Sequence, residues 1–324
     1  MSEILLEARS ITKEFPASGK KRVHAVSDVS LQIHEGETLG LVGESGCGKS
    51  TLGRLMIRTL RPDAGEVLLR GQSITAMSDR TFKPLRKELQ LVFQDPYASL
   101  DPRMTVRDLI AEPLETWRLC PNREAVTERA CELLRAVGLP EEFLYRYPHQ
   151  FSGGQRQRIG IARAIAADPS FIVCDEPVSA LDVSVQNQIL NLLKELKASR
   201  KLTFLFISHD LSVVRYLSDR VCVMFLGKIC EIGPTEEVYL RPRHPYTRFL
   251  LDAVPVPDPR QREKELRLLI GEPPSPADPP SGCRFRTRCP YASERCAAQE
   301  PALRDLGGVQ VACHHAGEKT LAET

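Results

Sequence analysis

The sequence predicts an α/β protein with a parallel sheet, and three stretches carry that reading. "TLGLVGESGCGKST" (38–51) reads as an apolar strand, a glycine-rich turn and a helix starting near Lys49. "FIVCDEP" (171–177) is a short apolar strand ending in two carboxylates, and "LTFLFISHD" (202–210) is another strand of the same texture. Between them, "LDVSVQNQILNLLKELKASR" sets Ile189, Leu192, Leu193 and Leu196 at helical spacing. Strands that alternate with helices build a parallel sheet whose ligand lies at the carboxyl ends of the strands.

Length and composition bound what such a sheet can do. A chain of 324 residues has room for one large or two modest domains with a substantial core. Its 44 basic residues nearly balance 42 acidic ones, which gives no electrostatic footprint for nucleic acid. The opening "MSEILLEARS" lacks the basic and apolar regions of a signal peptide, and no stretch reaches the roughly 18–20 apolar residues of a membrane span. The expectation is a cytoplasmic protein that meets membranes only through a partner. Of ten cysteines, six (Cys47, Cys120, Cys131, Cys174, Cys222, Cys230) are scattered, mostly in apolar segments where cysteine acts as a small hydrophobe.

The turn in the first stretch, Gly43 to Ser50, fits G-x-x-x-x-G-K-[ST]. Its glycines permit a tight nest of backbone N–H groups over Ser45, Gly46, Cys47, Gly48 and on to Thr51 that faces phosphate oxygens. Lys49 reaches the β and γ phosphates, and the Ser50 hydroxyl ligates Mg²⁺. Asp175 and Glu176, at a strand end, suit a Mg²⁺ contact and a general base for water. An acidic pair at a helix N-terminus is an equally good reading of those two alone. In "FSGGQRQRIGIARA", Ser152 with Gly153, Gly154 and Gln155 opens a helix and makes a second anion-binding N-terminus.

That run resembles the signature helix of ATP-binding-cassette (ABC) ATPases, with Phe151 in place of the commoner leucine. The resemblance implies ATP hydrolysis by two cassettes dimerised head to tail, each signature loop closing on its partner's nucleotide. It implies a P-loop fold with a RecA-like parallel core, an N-terminal antiparallel β subdomain and a helical subdomain at about residues 95–165, where prolines punctuate short helical pieces. It further implies that Phe15 stacks on adenine; a core aromatic of an N-terminal strand is the alternative use of that residue. Gln94 would sense Mg²⁺ and couple to a membrane partner. Asp182 would line the dimer contact, and His209 would hold the γ-phosphate and water.

Residues 1–240 make one such cassette, with neither a second cassette nor fused membrane helices. The proline-dense stretches "RPRHPYTRFLLDAVPVPDPR" and "GEPPSPADPPSG" read as a linker and an extended wrapper. With "SGCRFRTRCPYASERC" and "VACHH", they make residues 241–324 similar to the extension of dipeptide and oligopeptide importer ATPases, in particular the F-type subunits of dipeptide permeases. The implied assembly pairs this chain with a homologous D-type ATPase beneath two permeases. An extracytoplasmic peptide-binding protein feeds it, and the ATPases sit peripherally on the cytoplasmic face of the membrane. Importers of glutathione or nickel use related subunits.

Cys283, Cys289, Cys296 and Cys313 in this tail form C-x₅-C-x₆-C-x₁₆-C. Structural zinc favours close C-x₂₋₄-C pairs, and no standard ferredoxin run has this spacing either. The resemblance implies a [4Fe–4S] cluster; zinc and unmetallated thiols remain open. Arg284, Arg286, Arg288 and Arg295 either offset the charge of such a cluster or form a solvated basic surface. The tail, poor in apolar residues, is expected to need a metal staple and to stand apart from the ATP chemistry.

Overall fold

A computed structural model describes residues 3–17, 21–254, 272 and 274–317. In chain order its first elements are β1 (Ile4–Pro16), β2 (Arg22–His34), β3 (Thr38–Val42), α1 (Lys49–Met56), β4 (Ala64–Leu69), β5 (Gln72–Ser73), α2 (Asp79–Phe82) and β6 (Leu89–Val92). Then come α3 (Val106–Thr116), α4 (Arg123–Ala136), α5 (Gly153–Ile165), β7 (Phe171–Asp175), α6 (Val183–Arg200), β8 (Thr203–Ile207) and α7 (Leu211–Leu217). The last are β9 (Arg220–Phe225), β10 (Lys228–Pro234), α8 (Thr235–Leu240), α9 (Pro245–Asp252), α10 (Glu294–Ala298), β11 (Arg304–Asp305) and β12 (Gln310–Val311). The chain forms two compact units.

One unit comprises Met1–Leu5, Ile33–Glu37 and Ala76–Ile207. In it β6, β7 and β8 run parallel, with Leu89 opposite Phe171 and Asp175 opposite Ile207. β7 and β8 are buried along their whole length, which is why they read as continuous apolar runs without alternation. Helices α3, α4 and α5 follow the proline-punctuated segment. Each begins at a polar cap: Thr105 accepts from the Asp108 N–H, Asn122 from Ala125, and Ser152 from Gln155. Leu109, Ile110 and Leu114 of α3 and Ala130, Leu133 and Leu134 of α4 are fully buried. Asp168, just after α5, takes ion pairs from Arg129 of α4 and Arg200 of α6.

The other unit comprises Leu6–Gln32, Thr38–Thr75 and Ser208–Thr324. Its antiparallel sheet has the order β2-β1-β4-β5, with Leu6 opposite Leu69 and Ala8 opposite Val67. Beside it β3 pairs in parallel with β9, β9 pairs antiparallel with β10, and β10 pairs with β12. The C-terminal tail thus extends the sheet that carries the strand leading into the glycine-rich turn.

The tail differs from its sequence reading in two ways. "HPYTRFLLD" is not an irregular linker but a helix. Pro245 starts α9 at a position where a missing N–H costs nothing, and the His244 ring Nδ1 caps it by accepting the Tyr246 N–H over 3.0 Å. Most of the remaining proline-dense stretch (255–271 and 273) lies outside the described residues. Nor is the tail without a core, since Phe285, Val309 and Val311 are buried. Phe285 packs both on Phe225 of β9 and on Tyr246 and Phe249 of α9.

Candidate nucleotide site

The glycine-rich turn leaves β3 at Gly43 and enters α1 at Lys49. Gly48 has φ 105°, and a Cβ there would run into the Ala25 carbonyl, so this point of the turn admits only glycine. The first turn of α1 carries no acidic residue, and a helix N-terminus of that kind attracts phosphate. Lys49 is buried, and its Nζ donates to the carbonyls of Gly43 (2.8 Å) and Glu44 (3.0 Å). Ser45 and Gly46 are exposed at the mouth of the loop, while Ser50 and Thr51 are half-buried on α1. Burial pushes the Cys47 thiol up in pKa, against the opposing pull of Lys49.

His209 lies exposed in the turn between β8 and α7. The turn is clamped on both sides. The Ser208 N–H donates to the Leu41 carbonyl of β3 (3.2 Å), and Asp210 caps α7 by accepting from Ser212 (2.8 Å). This holds the His209 turn beside the strand that feeds the glycine-rich turn. Phe15, near the end of β1, is half-buried with the Lys13 ammonium 5.6 Å from its ring centroid.

In the other unit, β7 delivers Asp175, buried, and then Glu176. Glu176 has φ 46°, a left-handed conformation that non-glycine residues adopt rarely and that clusters at functional positions. Its N–H donates to the Ile207 carbonyl (3.0 Å), and its Oε2 accepts from Gln94 Nε2 (3.0 Å). Two residues singled out from separate motifs are therefore in direct contact.

The Ser152 helix start is a reciprocal capping box. The Gln155 N–H donates to Ser152 Oγ (3.3 Å) and the Ser152 N–H to Gln155 Oε1 (3.0 Å). Gly153 is half-buried. A Cβ on Gly154 would collide with Val185 of α6, so this glycine lets two helices approach closely. Asp182 is the exposed first residue before α6. Gln186, which no motif marked, holds the preceding loop by donating to the carbonyls of Val178 (2.9 Å) and Leu181 (3.0 Å).

All ten cysteines are free thiols. Burial, reinforced by the other tail thiols, pushes Cys283 up to about 11 and Cys289 up to about 12, and it also raises Cys313. Cys296 goes down: hydrogen bonds from Ser293 and His315 outweigh its burial, with His315 Nε2 at 3.7 Å from the sulfur. The Cys283 N–H donates to the Cys296 carbonyl (2.8 Å), which ties the two ends of the first three cysteines together. The donor set suits a thiolate-ligated centre. Among the described residues, however, no group of three His, Cys, Asp or Glu side chains is arranged to grip a metal ion.

Two of the four tail arginines, Arg284 and Arg288, are engaged by the rest of the unit, while Arg295 is exposed. Arg284 donates to the Leu226 carbonyl and to Ser27 Oγ, and Arg286 donates to the Ser281 carbonyl (2.9 Å). Arg288 binds both carboxylate oxygens of Glu44, inside the glycine-rich turn, at 2.9 and 3.0 Å. The expectation of a tail remote from the ATP chemistry is therefore wrong, because the tail's docking brings Arg288 to the loop.

Two family models match the chain: "ABC transporter" over residues 26–179 and "Oligopeptide/dipeptide transporter, C-terminal region" over residues 230–296. The chain is 54% identical over 312 residues to the putative oligopeptide transport ATP-binding protein YkfD of Bacillus subtilis, covering 96% of this chain and 95% of that one. It is 51% identical to the oligopeptide transport ATP-binding protein OppF of Escherichia coli, covering 90% and 88%. Among solved structures, a dimeric post-hydrolysis state of the ATP-binding cassette MJ0796 with ADP and Pi is similar at TM-score 0.66 and 31% identity. That match covers 71% of this chain and 99% of the cassette. The cbiO1 cassette of Clostridium perfringens is similar at TM-score 0.65 and 26% identity, covering 74% and 92%.

Proposed function

Because the chain belongs to the oligopeptide-transport ATP-binding proteins of the ABC family, we propose that it powers uptake of dipeptides and oligopeptides through a membrane permease. The observation that carries the reading is the union in one chain of a cassette and the peptide-transporter C-terminal region. The cassette occupies 1–240, with its helical subdomain at about 95–165, and the extension occupies 241–324. A homologous D-type ATPase completes the cassette dimer. Two permease subunits and an extracytoplasmic peptide-binding protein complete the transporter, which holds this chain peripherally on the cytoplasmic face of the membrane. No described helix is long and apolar enough to cross a membrane.

The chemistry follows from the side chains. Backbone N–H groups from Ser45 to Thr51 hold the phosphates with Lys49, and Phe15 receives the adenine ring. Ser50, Gln94 and Asp175 offer the hard oxygen ligands that Mg²⁺ prefers, and the ion would neutralise charge on the phosphates. Glu176 takes a proton from the attacking water as general base, positioned by Gln94, while His209 steadies the γ-phosphate side of that water. Ser152, Gly153, Gly154 and Gln155 close in trans on the partner's nucleotide, and Asp182 lies at the dimer seam. ATP bound between two cassettes favours the closed dimer; hydrolysis and phosphate release remove those contacts and reopen it.

In the tail, Cys283, Cys289, Cys296 and Cys313 would ligate a [4Fe–4S] cluster, a reading supported by four unpaired thiols within one another's electrostatic reach. Anaerobic purification with iron, sulfide and zinc analysis tests it. Stoichiometric zinc without sulfide overturns it.

Transport itself is tested in vesicles holding the permease pair, both ATPases and internal ATP. Uptake of a labelled tripeptide supplied with the binding protein is the expected result. Uptake of nickel or glutathione with no peptide uptake would contradict it.

A further inference from the structure

We infer that Tyr246 and Arg288, both from the C-terminal extension, are positioning residues of the ATP site that hold the phosphate loop through Glu44.

Glu44 is the residue after Gly43, at the entrance of the loop, and its polar groups are all engaged. Its N–H donates to the Tyr246 hydroxyl (2.9 Å), and its carbonyl accepts from Lys49 Nζ (3.0 Å). Both carboxylate oxygens accept from Arg288 Nη1 at 2.9 and 3.0 Å, and the Arg288 side chain is only 7% exposed. A charge-assisted bond from so buried an arginine fixes direction as well as distance.

The two braces are themselves rigidly mounted. Tyr246 is fully buried, with its ring 4.8 Å from Phe225 at the end of β9 and 5.3 Å from Phe285 of the cysteine segment. Phe285 also packs edge-on against Phe225 at 5.4 Å. Arg284, beside Phe285, donates to the Leu226 carbonyl, and the following Gly227 N–H donates to the Cys47 carbonyl (2.8 Å). The extension therefore reaches the loop directly at Glu44 and, through the Leu226–Gly227 link, indirectly at Cys47.

Charge gives this brace a consequence beyond packing. Glu44 places a carboxylate in a loop whose work is to bind the most anionic part of ATP, and by itself it would repel the phosphates. Arg288 offsets that charge and fixes the carboxylate through both of its oxygens. Tyr246 takes up the Glu44 N–H, so that loop order is established before nucleotide arrives and need not be supplied by binding.

The test measures steady-state ATP hydrolysis in the assembled transporter and fluorescent-ATP affinity in a Glu176→Gln background. Arg288→Ala should raise KM for ATP about tenfold or more, with a smaller fall in kcat, and Arg288→Lys should recover part of the loss. Arg288→Ala combined with Glu44→Ala should bind ATP better than Arg288→Ala alone, since the uncompensated charge is gone. Tyr246→Phe keeps the ring and removes the acceptor, and should raise KM two- to fivefold with little change in Tm. If Arg288→Ala does not fold, Arg288→Lys and Tyr246→Phe decide the matter. Unchanged ATP affinity in both would overturn the inference, as would failure of Glu44→Ala to improve the Arg288→Ala protein. The inference rests on residues 43–51 being the nucleotide loop. Undiminished ATP binding by Lys49→Ala would remove that premise and the brace with it, whereas normal peptide-independent ATPase loss in Lys49→Ala with insensitive Arg288 and Tyr246 variants would sink the brace alone.

Discussion

Gln94 Nε2 donates to Glu176 Oε2 across 3.0 Å, joining residues 82 positions apart at the end of β7. Glu176 also sits at φ 46°, and its N–H is tied to Ile207. The carboxylate is thus oriented from the side chain and from the backbone, which suits the proposed role of meeting a water in one geometry.

Replacing Glu176 by Gln keeps shape and hydrogen bonding and removes the base. ATP affinity should stay within a few-fold of wild type, while turnover in the assembled transporter falls by roughly 10²–10⁴. Turnover near the wild-type rate would refute the general-base role.

Gly154→Ala should strain the contact between α5 and α6, because the new methyl meets Val185. Overpacking of this kind costs about 1–3 kcal/mol. Denaturant unfolding should show the loss, and adding Val185→Ala should recover part of it. A Gly154→Ala protein as stable as wild type would mean that the helices have room to part.

Folding stability should fall in mild acid because of His244. Burial lowers its pKa to about 4 from 6.5. The unfolded chain therefore binds the proton first, and stability is present above about pH 6.5 and lost as pH falls towards 4. The full effect is on the order of 3 kcal/mol. Glu231, whose carboxylate accepts the His244 N–H (3.0 Å) and whose pKa is raised by its burial, acts in the opposite sense. Unfolding curves between pH 7 and 5 should show the loss, and His244→Asn, which keeps a capping acceptor, should flatten the profile. An unchanged profile in that variant would assign the acid sensitivity elsewhere.

The parallel strands were legible because burial on both faces leaves an uninterrupted apolar run, as in "FIVCD" and "TFLFI". The strand, glycine-rich turn and helix at 38–56 and the capped helix at Ser152 were legible because both are built from consecutive residues. The proline-dense tail misled, since a proline reads as a breaker unless its place at the first position of a helix is known, as at Pro245. The Arg288–Glu44 pair was invisible for a different reason. Its partners lie 244 positions apart, and a single long-range ion pair leaves no periodicity on either side. Gln186 escaped notice likewise, because it serves only the carbonyls of a loop defined by the fold.

The most direct measurement is ATP hydrolysis by the complete transporter in lipid nanodiscs, with and without peptide-loaded binding protein. Several-fold stimulation by peptide-loaded protein, absent with the empty protein and abolished by Glu176→Gln, is the predicted result. A rate indifferent to peptide yet raised by nickel- or glutathione-loaded protein would contradict the account.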